Sequence, residues 1–147
     1  MNMDEICWTS TWTIEVKDVQ TRLRIGIWEH ERDFQPVIVN ITLRGNAPIF
    51  PEAIEDCIDY EPICRWLIDE LPNRPHTPLL ETKLAEVLQF VFERDLRINW
   101  ADVAISKPTA IANVGSAGVR LAISRADYAA TLGGRHTKEM PAVLEAK

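Results

Sequence analysis

At 147 residues, 46% hydrophobic and 26% charged, the chain has the length and composition of one globular domain with a sizeable core, not of a fibrous or disordered protein. Its formal net charge of −6 argues against nucleic acid, whose binding surfaces are basic, and directs attention to a small-molecule or protein partner. The first residues lack the apolar run of a signal peptide, and no apolar stretch is long enough to cross a bilayer, so a cytoplasmic protein with no membrane partner is expected. The three cysteines, Cys7, Cys57 and Cys64, form no CxxC pair and are expected to be free thiols. His30, His76 and His136 show no paired ligand spacing, and no metal is expected.

Residues 1–11 read as an amino-terminal extension to a core of residues 12–125 within a single domain. Apolar positions alternate through Trp12, Ile14 and Val16, then resume in the opposite parity at Val19, Leu23, Ile25 and Ile27. That change predicts a bulge near Lys17 and Asp18. Gly26 permits a close backbone approach and leads into an acid-rich stretch from Trp28 to Pro36 that reads as a functional loop. The next strand puts Val37, Val39, Ile41 and Leu43 on one face, and residues 45–56, with their glycine, prolines and acids, read as a loop.

Asp59 is placed to cap a helix bearing Tyr60, Ile63, Leu67 and Leu71 at helical spacing, with Pro62 tolerated in its first turn. The stretch Pro72 to Pro78 breaks it. A second helix is predicted from Thr77 to about Arg94, with an apolar stripe of Leu84, Ala85, Leu88, Val91 and Phe92. Counting back along this stripe puts Glu81 on the buried side, in the first turn, where the helix dipole favours a carboxylate. Two more strands are predicted, Trp100 to Lys107 and Gly118 to Arg125, followed by a mobile tail over residues 126–147. The order strand, strand, helix, helix, strand, strand predicts an α+β fold, an antiparallel four-stranded sheet with both helices on one face.

In the strand Ala101 to Lys107, alternation puts Lys107 on the same side as the apolar Val103 and Ile105. Pro108 ends the strand and holds the lysine in extended backbone. Burial disfavours an ammonium group, and a desolvated lysine can take and return protons near neutral pH; a lysine that snorkels to water from a strand end is the alternative.

Four segments together resemble the dihydroneopterin aldolase family: Ile25-Gly26-Ile27 through Glu31, Ile58-Asp59-Tyr60, Leu79-Leu80-Glu81 and Ile105-Ser106-Lys107-Pro108. The resemblance spans residues 12–125 and implies the tunnelling fold, in which subunits form an oligomeric barrel, a homo-tetramer or octamer, with sites between neighbours. It implies metal-independent retro-aldol cleavage of dihydroneopterin to hydroxymethyl-dihydropterin and glycolaldehyde, in folate or related pterin biosynthesis, with no cofactor. Lys107 and Tyr60 are then the catalytic residues, and Glu31, Tyr60, Leu80 and Glu81 bind the dihydropterin substrate. Glu29 competes with Glu31 for its role. Gln35 would position a water, although it stands one position earlier than in the family, and Asp59 replaces a smaller or neutral polar residue. Epimerisation of dihydroneopterin or its triphosphate is the enzymatic alternative, and a non-catalytic pterin-binding or scaffold protein is the alternative of another class.

Overall fold

The computed structural model describes residues 8–132, and all structural statements concern these residues. Strands β1 (Thr9–Leu23), β2 (Gln35–Pro48), β3 (Ile98–Lys107) and β4 (Ala117–Ser124) form one antiparallel sheet in sequential order. Between β2 and β3 lie a short helix α1 (Glu61–Arg65) and the longer α2 (Leu80–Arg94). The α+β class, the antiparallel four-stranded sheet and the strand, strand, helix, helix, strand, strand order along the chain follow the sequence expectation.

Alternation explains the sheet's inner face. Val39 pairs with Ile105, Ile41 with Val103 and Leu43 with Ala101, and all six side chains are fully buried. The bulge is where parity predicts it: Val16 pairs with Ile41 and Val19 with Val39, so Lys17 and Asp18 face the single residue Asn40. Asp18 takes a positive φ of 55°, and its amide donates to Asn40 Oδ1 at 2.8 Å. Ile27, expected to continue the apolar face, is exposed because the strand has already ended at Leu23.

Several boundaries differ from the sequence reading. β2 continues through Gly45 to Pro48, residues expected to be loop, because the amino end of β1 pairs with them from Thr9 onward. Strand therefore begins inside the segment read as an extension, while residues 1–7 lie outside the described part. Asp59, expected to cap α1, stands one residue before the N-cap: Tyr60 holds that position without a side-chain cap, and Asp59 Oδ1 accepts the Glu61 amide at 3.0 Å in a local turn. The helix then loosens into a π turn (Trp66–Glu70) and a 3-10 turn (Leu71–Asn73) at Pro72. α2 starts at Leu80 rather than Thr77, because Thr77 is committed to a parallel bridge with Ile25. Residues 126–132, expected to belong to a mobile tail, are helical together with Arg125, expected to end the last strand, and Tyr128 stacks on Phe92 of α2. The rest of that tail, 133–147, lies outside the described residues. Arg125 closes the carboxyl end of α2 by donating to the carbonyls of Phe92 and Asp95, both at 2.9 Å, and to Ile98 O at 2.7 Å.

The core lies between the sheet and the helices. α2 covers β3 and β4, and the turns after α1 cover β1. The buried stripe of α2 is Leu84, Val87, Leu88, Val91 and Phe92, joined by one charged residue, Lys83. Lys83 is 1% exposed; its Nζ lies 2.9 Å from Glu86 Oε2 and donates to Pro75 O at 3.3 Å. This ties α2 to the segment that precedes it. The opposite face of the sheet is polar: Lys17 donates to Thr42, Arg44 lies over Trp100, and Asp102 is gripped by Arg120. Among the described residues no helix is long and apolar enough to cross a membrane.

Candidate active site

The fold brings together residues 76 positions apart in sequence: Lys107 Nζ, at the end of β3, donates to Glu31 Oε1 at 2.9 Å. Lys107 reaches this point as strand alternation predicts, beyond the buried Val103 and Ile105. Glu31 sits in a 3-10 turn (Glu29–Arg32) between β1 and β2. Its second oxygen, Oε2, accepts the Trp28 amide at 3.1 Å, the reach-back half of a capping box. Glu29 is exposed, whereas Glu31 is buried.

Gly26 makes room for this carboxylate. Its φ is +136°, and a Cβ there would lie 1.9 Å from Glu31 Oε2. The turn around it is held from three directions: Gly26 N donates to Thr77 O at 3.2 Å, Gln35 Nε2 donates to Ile25 O at 2.6 Å, and His76 Nε2 lies 2.9 Å from Gly26 O. Gln35 thus braces the backbone beside the pair.

The hydrogen bond from Lys107 holds the Glu31 carboxyl below its ordinary value. Burial opposes this, while the Trp28 amide, the lysine's charge and the Gln35 carboxamide reinforce it. A carboxyl lowered in the folded state contributes stability that is complete above its ordinary value near 4.5 and is lost as pH falls through the folded value. Urea unfolding across a pH series should therefore show Glu31→Gln losing stability less steeply than wild type between about pH 5 and pH 2. Asp102, lowered by its hydrogen bonds to Arg120, gives both proteins a common background slope. Equal slopes would mean that the Glu31 pair adds no acid-sensitive stability.

The other sequence candidates are placed differently. Tyr60 is exposed at the start of α1, and Leu80 is half-buried against the core. Glu81 is exposed, not buried as the stripe count implied. Leu80 and Lys83 take the inward positions of the first turn, leaving Glu81 at the stripe's edge. Neither of two cavities, about 90 and 390 Å³, is lined by Glu31, Tyr60, Glu81 or Lys107. Exposed apolar side chains flank the candidate residues instead: Ile27 and Trp28 by the turn, Leu79 beside Glu81.

His76, Thr77 and the Trp28 amide were not found from sequence. A partial signal existed, since Thr77 precedes Pro78 and the residue before a proline favours the extended backbone that a bridge needs.

No curated protein matches this chain in sequence. Solved structures do match its fold. A Vibrio cholerae protein assigned as a dihydroneopterin aldolase is 16% identical with a TM-score of 0.66, covering 79% of this chain and 99% of its own. The Escherichia coli dihydroneopterin aldolase in complex with neopterin is 18% identical with a TM-score of 0.65, covering 76% and 97%. A dihydroneopterin aldolase from Burkholderia bound to guanine is 18% identical with a TM-score of 0.64, covering 78% and 92%. The family model described as FolB: Dihydroneopterin aldolase matches residues 14–122, from β1 into β4 and through every element that carries a candidate site residue. On that match the chain belongs to the dihydroneopterin aldolase family.

Proposed function

We propose that this protein is a dihydroneopterin aldolase that cleaves the substrate's trihydroxypropyl side chain by a metal-independent retro-aldol reaction, in the cytoplasm. The observation that carries the reading is the part-buried Lys107–Glu31 contact at 2.9 Å, on the two family segments that the resemblance assigns to the reacting side chain. Breaking the bond between the first and second side-chain carbons leaves an electron pair that needs a sink. The ring imine beside the side chain is one. The hydroxyl proton on the second carbon leaves as glycolaldehyde forms, the pair moves into the imine, and a proton is returned to the first carbon to give hydroxymethyl-dihydropterin. Lys107 is the group proposed to take and return these protons, with Glu31 orienting Nζ and the side-chain hydroxyls. Tyr60 is proposed to hydrogen-bond a hydroxyl or relay a proton.

Glu81 is proposed to hold the pterin, since both carboxylate oxygens can pair with the ring amide and its amino group, with Leu80 beside it. The neopterin and guanine in the two relatives share that planar edge, which supports a pterin-type ligand here.

The site is proposed to lie between subunits of a tetrameric or octameric barrel. Three features support this. Tyr60 and Glu81 are exposed in a single chain, the apolar Ile27, Trp28 and Leu79 are also uncovered, and β1 and β4 each have one paired edge among the described residues. The polar outer face of the sheet, with Lys17, Arg44, Asp102 and Arg120, suits the wall of a water-filled tunnel.

Incubation with dihydroneopterin tests the reading. Glycolaldehyde and hydroxymethyl-dihydropterin are expected in equal amounts. Epimer without glycolaldehyde would replace the aldolase by an epimerase, and pterin binding without turnover of any dihydropterin would replace both by a binding protein.

A further inference from the structure

We propose that His76 is a positioning residue for the Glu31–Lys107 pair, acting through the peptide between Gly26 and Ile27. The proposal rests on the reading of that pair as the proton-transfer centre.

Gly26 has two soft torsions, and the hydrogen bonds around it fix one each. The peptide before it is held at both ends, by Gln35 on Ile25 O at 2.6 Å and by Thr77 O on Gly26 N at 3.2 Å. This sets φ. The peptide after it is held by His76 Nε2, 2.9 Å from Gly26 O, and this sets ψ. A glycine without that second constraint can turn its following peptide at little steric cost. Two residues on, the Trp28 amide holds Glu31 Oε2 at 3.1 Å, and the same oxygen occupies the space where a Gly26 Cβ would stand. A change in ψ therefore moves both the donor that holds Glu31 and the wall it rests against.

The imidazole's own placement is secured. His76 lies between Pro75, whose carbonyl accepts from the buried Lys83, and Thr77, which bridges to Ile25. A carbonyl oxygen can only accept, so Nε2 carries the hydrogen in this contact. The neutral Nε2–H tautomer and the imidazolium both satisfy that requirement.

The test uses the full-length protein, its His76→Ala and His76→Gln variants, and two readouts. Glutamine keeps an N–H donor at about the same reach. His76→Ala is expected to lower kcat about tenfold to a hundredfold, with KM changed far less, because the reacting groups lose their alignment. His76→Gln should recover most of that loss. Carbon-13 titration of the Glu31 carboxyl, its resonance assigned through Glu31→Gln, should show the midpoint rising in His76→Ala and returning in His76→Gln. A folded His76→Ala whose Glu31 titrates as in wild type would overturn the proposal, as would a His76→Gln that behaves like the alanine variant. Wild-type protein inactive on dihydroneopterin would overturn the functional reading, while the carboxyl titration would still decide whether His76 positions Glu31.

Discussion

Lys107→Ala is expected to lower kcat on dihydroneopterin by about a hundredfold to ten-thousandfold, the range for loss of a general acid and base, and to change pterin affinity far less. The separation follows from the proposed division of labour, with Lys107 moving protons and Glu81 gripping the ring. A complication arises from the partner. Removing the ammonium leaves Glu31 buried without the hydrogen bond that lowers its carboxyl most. Breaking one side of a fully buried pair costs about 3–5 kcal/mol, and this part-buried pair loses less, in the same direction. Lost activity could then reflect lost fold. The double variant Lys107→Ala with Glu31→Gln removes that uncompensated charge and should recover stability in urea unfolding without recovering turnover. Wild-type turnover in folded Lys107→Ala would remove the lysine from the chemistry. Recovered turnover in the double variant would mean that the lysine serves only to neutralise Glu31.

The sequence could place Lys107 because a strand ending in Lys-Pro leaves little choice: parity puts the side chain beside Val103 and Ile105, and the proline ends the ladder. It could place the bulge because apolar alternation changes parity within one strand when an extra residue enters the ladder. Glu81 was misplaced because an apolar stripe has a width, and a residue at its margin in the first turn can lie on either side of the water boundary. Lys83 takes an inward position because a carboxylate and a backbone carbonyl are both in reach, facts that periodicity does not carry. The contacts of His76 were hidden for the same reason: they join segments 50 residues apart. Desolvation alone also gave an incomplete account of Lys107, since it left out the carboxylate that the fold sets against it. What remained legible was periodicity and the family's spaced residues; what did not was the long-range pairing of polar groups.

Gly26→Ala is expected to damage both stability and turnover, and by a route that differs from loss of Lys107. At φ +136° an L-residue is strained, a penalty of roughly 1–3 kcal/mol at such positions. The new methyl group would also stand 1.9 Å from Glu31 Oε2, 2.1 Å from its carboxyl carbon and 2.6 Å from its Cβ, so the side chain must move from its base and not at its tip alone. The carboxylate must swing away, and in doing so it gives up the Trp28 amide and Lys107 together. A combined loss of about 2–4 kcal/mol follows from strain plus a broken buried contact. Turnover should fall because Nζ is no longer oriented, while Lys107 itself is still present. Gly115→Ala supplies the control: no atom lies within 4 Å of its would-be Cβ, and the residue is exposed. That variant should match wild type in both urea unfolding and turnover. If Gly26→Ala also matches wild type in both, the turn can reshape around a methyl group, and the close seat of Glu31 over Gly26 is not what holds the carboxylate against Lys107.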